Sequence, residues 1–236
     1  MAEQIKSKKR VAEHGEVFTN EREVNAMCDL VAQECERIDS RFLEPACGDG
    51  NFLAEILARK LNTVKKLYKR NSYDYERYAV LAVSSIYGVD IMQDNAEECR
   101  KRLFNVWNDE YKSNCKKDCN EETRDAVKYI LKKNILCGNA LTLMQVDDNQ
   151  EDTDIPIIFP EWSLMMGTKL KRRDFRLDVM LKANDKPKSE QIRISMTDVP
   201  EDIRPYLSIN PVTGEYMAEP ISEYPAVHYR KVKENG

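Results

Sequence analysis

The segment Arg41-Phe42-Leu43-Glu44-Pro45-Ala46-Cys47-Gly48-Asp49-Gly50-Asn51 constrains this chain more than any other. A short apolar piece breaks at Pro45 and gives way to two glycines one residue apart. Phe52, Leu53, Ile56, Leu57, Leu61 and Val64 then recur at helical spacing. The order is strand, glycine-containing turn, helix. In an open parallel sheet, ligands bind outside the carboxyl ends of the strands. A glycine there lets a ligand approach the backbone closely, because no Cβ intervenes. The N–H groups that open the helix receive anionic or polar ligand groups. Glu44 and Asp49 flank the turn and suit an ammonium group or ribose hydroxyls. The plainer reading is an ordinary strand-to-helix turn whose glycines serve geometry alone, and a bare Gly-x-Gly does not separate the two.

The surrounding pattern repeats this alternation. Upstream, Val24, Met27, Val31, Cys35 and Ile38, with Leu30 beside them, predict a helix over residues 21–38, with Asn20 and Glu23 placed for a capping box. Residues 69–77 are polar and tyrosine-bearing. Ser85-Ile86-Tyr87-Gly88-Val89-Asp90 reads as a second strand ending on an acid. A helix from about Asn95 to Trp107 follows, then a charged, loop-like stretch over 108–120. Ala126, Tyr129, Ile130 and Leu131 suggest a further helix, and Asn134-Ile135-Leu136-Cys137-Gly138 a third strand. Alternation of this kind predicts an α/β fold, a parallel sheet with helices on both faces.

The pattern changes after residue 145. Residues 147–154 read as an acidic linker, and Lys169, Lys171, Arg172, Arg173 and Arg176 form a basic cluster. Residues 183–236 carry most of the prolines and little periodicity, which fits a tail lying over the domain or meeting a partner. The expected organisation is a flexible basic arm over 1–14, a domain over 15–145, and a partly irregular extension over 146–236.

Composition narrows the function classes. Hydrophobic residues make up 42% and charged residues 33%, enough for a core inside a very polar surface. A net charge of -4 excludes a uniformly basic nucleic-acid binder, so any DNA contact must come from local patches. The cluster at 169–176 and Tyr224, Tyr229, Arg230, Lys231 and Lys233 are the candidates, with solvated charged surface as the alternative. No apolar run approaches the ~18 residues that span a membrane, and no apolar stretch follows the basic start. We therefore expect a soluble, cytoplasmic protein with no membrane partner. The seven cysteines fit packing thiols in a reducing compartment. Two histidines and one close cysteine pair give no metal pattern.

Dinucleotide binding fits poorly. Its fingerprint wants a third glycine where Leu53 stands, and an acid about 20 residues on, where Lys69, Arg70 and Asn71 lie. The strand-terminal acid is instead Asp90. A carboxylate there can accept both hydroxyls of a ribose; a helix cap is its plainer use. Asn139, after the third strand, can pair with an adenine edge or simply shape a turn.

These residues resemble a known family. Glu44 to Phe52 looks like motif I, the cofactor-binding motif of adenine-specific DNA methyltransferases that use S-adenosyl-L-methionine. Gly15-Glu16-Val17-Phe18-Thr19-Asn20 resembles their motif X, with Asn20 where proline is usual. Gly88-Val89-Asp90-Ile91 resembles motif II, and Cys137-Gly138-Asn139-Ala140-Leu141 resembles motif III, with Asn139 in place of an aspartate. The resemblance covers residues 15–141. It implies a class I methyltransferase (Rossmann-like) doubly wound sheet with an irregular C-terminal extension. Phe18 and Thr19 would contact the methionine end of the cofactor. Glu44, Ala46, Cys47, Gly48 and Gly50 would form the turn around it, with Asp49 near its ammonium group. Asp90 would hold the ribose, Ile91 would pack on the adenine, and Asn139 would face the adenine amino group.

One family element is missing. Family enzymes present Asn/Asp-Pro-Pro-Tyr/Phe after a fourth strand, to accept from the target amine and stack on a flipped base. Asn210-Pro211-Val212-Thr213 is the nearest echo, without the second proline or the ring. Trp162 offers a ring but reads better as core. No catalytic residue is assigned. Three readings follow: a DNA adenine methyltransferase, or the cofactor-binding part of one whose catalytic motif comes from a second subunit; a non-catalytic binding or interaction module of a restriction–modification or mobile-element system; or a Rossmann-like protein for another nucleotide.

Overall fold

A computed structural model describes residues 10, 19–165, 167–184 and 199–235. The arm over 1–14, Arg10 apart, and Phe18 lie outside the described residues.

The chain alternates as far as residue 139. Helices α1 (Glu21–Leu30) and α2 (Ala32–Glu36) lead to β1 (Phe42–Glu44), α3 (Asn51–Tyr68), α4 (Ser72–Ser84) and β2 (Ile86–Asp90). Then come α5 (Gln93–Cys115), α6 (Glu121–Asn134) and β3 (Ile135–Asn139). Asparagines start three helices: Asn20, Asn71 and Asn120 each accept a first-turn N–H through their side chains. Asn20 therefore does the N-capping expected of it. The single helix expected over 21–38 is broken at Val31, and Met27, Leu30 and Val31 are exposed where Val24, Cys28 and Cys35 are buried.

Strands β1, β2 and β3 pair in parallel, in that order. Beyond them β4 (Met144–Val146) and β5 (Asp152–Pro156) add antiparallel, so the five-stranded sheet is mixed rather than wholly parallel. The acidic stretch over 147–154 spans this β4–β5 turn, where Asp147 Oδ1 accepts from the N–H groups of Asn149 and Glu151.

The helices of the alternating part, α3 to α6, share one face of the sheet rather than being divided between two as expected. Both crossovers advance the sheet in one direction, and right-handed connections of that kind put their helices on one side. Ile86 and Ile135 join the main core with residues of α3, α4, α5 and α6. Tyr87 and Val89, pointing oppositely, pack instead on Ile157, Phe159 and Leu177. That second face is met by the start of β6 (Ile158–Leu164) and of α7 (Leu177–Asn184).

The C-terminal part is built in rather than draped over. β6, β7 (Lys169–Arg176) and β10 (Ser222–His228) form an antiparallel sheet; β8 (Leu207–Ile209) and β9 (Tyr216–Ala218) form a small hairpin. Trp162, Leu170, Tyr229 and Val232 are buried in the same core as the helices. Trp162 is a core residue, donating from Nε1 to Asn134 Oδ1 at 2.8 Å. Buried Glu76 on α4 ties the end of the chain down. It accepts from the hydroxyls of Tyr111 (2.5 Å) and Tyr229 (2.6 Å) and from Arg230 (2.7 Å). All seven cysteines are free thiols, five of them buried.

Candidate functional site

A cleft of about 550 Å³ opens at the carboxyl ends of β1, β2 and β3. Thr19, Glu44, Ala46, Cys47, Gly48, Asp49, Asp90, Ile91 and Asn139 all line it. Gly50 sits behind, as the last residue of the turn before α3.

The turn needs its glycines. Gly48 and Gly50 have φ of 52° and 88°, the left-handed region that side chains resist. A Cβ on Gly50 would also come within 2.7 Å of Cys99 Sγ. The Cys47 N–H donates to the Val89 carbonyl at 2.9 Å, which extends β1 along β2 into the turn. Helix α3 starts at Asn51 with no side-chain cap, so its first N–H groups are left for another acceptor where Asn51 and Phe52 line the cleft.

One face of α5 holds this turn in place. Asn95, Cys99 and Arg102 recur at i, i+4 and i+7. Asn95 Nδ2 donates to Asp90 Oδ1 at 3.1 Å. Cys99 packs against Gly50, and its hydrogen bond with Cys47, together with burial, pushes the Cys47 thiol far above its ordinary range. Arg102 donates to the Asp49 carbonyl (2.9 Å) and carboxylate (2.5 Å). That spacing was the signal available in the sequence, and sequence reasoning did not use it.

The four polar side chains expected to meet a ligand differ in what they have left to give. Asp90 joins the two turns: Oδ2 accepts from the Gly48 N–H at 2.8 Å, and Oδ1 from the Met92 N–H at 2.9 Å and from Asn95. A carboxylate offers about four acceptor positions. Three are filled, which leaves one, rather than both expected, for ribose hydroxyls. Asp49 is held by Arg102, while its Oδ1 is buried without a partner. Asn139 accepts from the Leu141 N–H and donates to Asp152, both at 3.0 Å, so its amide shapes the rim.

Glu44 is different. It has no ion-pair partner among the described residues, and burial raises its carboxyl above the ordinary range despite a backbone hydrogen bond from Ala46. A cationic ligand group would relieve that burial cost. Among the lining residues that sequence reasoning passed over are Met27 on α1 and Leu141, 94% exposed.

No family model, curated protein or solved structure matches this chain.

The basic cluster of the second sheet is not a free patch. Arg172 is buried on Asp174 at 2.6 Å, and its guanidinium lies 4.3 Å from the Tyr224 ring centroid. Arg173 pairs with Glu161, Lys171 with Glu223, and Arg176 with Asp178 and Asp202. The basic residues near the chain end are paired too: Arg230 with Glu76, Lys231 with Glu234 and Lys233 with Asp125. The Asn210-Pro211 echo forms the β8–β9 turn, where Asn210 Oδ1 accepts from the Val212 and Thr213 N–H groups. It is not among the residues lining the cleft. Among the described residues there is no cluster suited to a metal ion, and no helix long and apolar enough to cross a membrane.

Proposed function

We propose that the cleft binds S-adenosyl-L-methionine, and that the chain is the cofactor-binding part of an adenine-specific DNA methyltransferase whose catalytic motif comes from a second subunit. The observation that carries the reading is the convergence of three separate sequence motifs on one cleft, with Glu44 at its wall unpaired among the described residues. The volume suits a nucleoside with an amino-acid arm. The uncapped start of α3 would take the ligand carboxylate, Glu44 its ammonium group, and the spare acceptor position of Asp90 a ribose hydroxyl. The bound cofactor supplies an electrophilic methyl group. The chain's own residues grip and orient the nucleoside, and Ile91 and Leu141 shield it from water. DNA as the methyl acceptor rests on the motif resemblance.

A second reading is a binding module without catalysis. The position of Asn210 at the β8–β9 turn favours it, because nothing in the cleft then replaces the missing tetrapeptide.

Calorimetry tests the cofactor. One S-adenosyl-L-methionine per chain should bind, more tightly than NAD, and Asp90→Ala should weaken it by at least about tenfold. No binding, or preference for NAD, sinks the proposal. Incubation with methyl-labelled cofactor and mixed-sequence DNA separates the two readings: label in adenine marks the enzyme, bound cofactor without transfer the module.

A further inference from the structure

Among the described residues, strand β1 is the terminal strand of its sheet, hydrogen-bonded on one side only, to β2. Its central residue, Leu43, is 41% exposed although it belongs to a parallel sheet, and parallel strands are ordinarily covered on both faces. On that face, beside β1, lies a cavity of about 110 Å³ walled by Leu43, Tyr87, Phe159, Phe175, Leu177 and Met180. Its one buried polar tip is already satisfied, as the Tyr87 hydroxyl donates to the Pro160 carbonyl at 2.8 Å. The volume is on the order of engineered cavities that hold a benzene ring, so it has room for one aromatic or branched side chain. Charge marks the mouth: Arg41 and Arg173 share the single carboxylate of Glu161, which leaves one positive charge in excess.

We infer that β1 is a docking edge, to which a second polypeptide chain adds an extended segment carrying a large apolar residue next to an acid. The main-chain edge suits an extended segment, because Leu43, between Phe42 and Glu44 that face β2, is left to present its N–H and C=O outward. The cavity takes the apolar side chain, and the surplus arginine charge takes the acid. The added strand would lie next to the Glu44–Asn51 turn and would wall the cleft on its open side. The inference stands whatever ligand the cleft binds.

A random octapeptide library displayed on phage, panned on the whole protein without cofactor, tests it. Selected peptides should alternate apolar and polar residues, with an aromatic or branched anchor beside Asp or Glu. Their synthetic versions should protect the Leu43 amide from hydrogen exchange. Leu43→Lys, at an exposed position, should weaken them at least about tenfold, and Arg41→Glu should shift selection from acidic to basic neighbours. Equal enrichment on the Leu43→Lys protein, or no change of charge preference with Arg41→Glu, overturns the inference. So does a Leu43 amide already protected in the protein alone, which would mark an occupant from its own chain. Sedimentation showing dimers that Leu43→Lys dissolves would assign the edge to a second copy and overturn it equally.

Discussion

The two ends of this molecule treat charge in opposite ways. In the antiparallel sheet of β6, β7 and β10, nearly every basic side chain is matched to an acid. Arg172 even lies buried between Asp174 and aromatic rings. At the carboxyl ends of β1, β2 and β3, Glu44 is half-buried with no cation paired to it among the described residues, and the first turn of α3 lacks a side-chain cap. Paired charge holds a structure together; unpaired charge beside a cavity costs free energy that a ligand can recover. The basic cluster of the C-terminal sheet, readable in the sequence either as a phosphate contact or as solvated charged surface, is thus largely paired with acids. The glycine turn, open to a plainer reading, instead opens a helix with no side-chain cap beside a carboxyl raised by burial.

The sharpest break of that contrast is Glu76→Ala. It removes the acceptor shared by Tyr111, Tyr229 and Arg230 and should cost about 3–5 kcal/mol, read in denaturant melts. Amides of residues 229–235 should lose hydrogen-exchange protection first. Gly50→Ala comes next. A left-handed φ and the clash with Cys99 should cost about 1–3 kcal/mol and abolish cofactor binding together. Glu44→Gln should instead leave the melt unchanged or slightly improved while weakening cofactor binding at least about tenfold.

The pH dependence sharpens the same point. The raised Glu44 carboxyl must ionise to meet an ammonium group. Affinity should be full above its raised pKa and fall as pH drops through it, beginning above the ordinary carboxylate range. Titrations across that window should show the slope in the wild type and lose it in Glu44→Gln. The smallest effect belongs to the paired region: Lys171→Ala, removing an exposed pair with Glu223, should change stability by less than about 0.5 kcal/mol and duplex DNA retention not at all.

The parallel half was legible because glycines, strand-end acids and helical spacing agree there. Asp90 and the Glu44–Asn51 turn stand together, as their places at strand ends and the motif resemblance suggested. One helix and the second half of another were hidden by chemistry. Residues 108–115 look charged, yet Trp107, Tyr111 and Cys115 continue the buried stripe of α5 at intervals of four. In α4 the buried Glu76 and Tyr75 disguise an inward face as a polar loop. In β7 the inward positions Leu170, Arg172 and Asp174 alternate properly, but two are charged, so period two did not show as hydrophobicity. The stacking of α3 to α6 on one face follows from strand order, which no local pattern encodes.

Amide chemical shifts followed while S-adenosyl-L-methionine is added would test the central claim most directly. We expect saturable one-to-one shifts centred on Gly48, Gly50, Asn51, Asp90 and Ile91, with residues 169–176 unmoved. Saturation without shifts at the glycine turn, or none at any cofactor concentration, would contradict it.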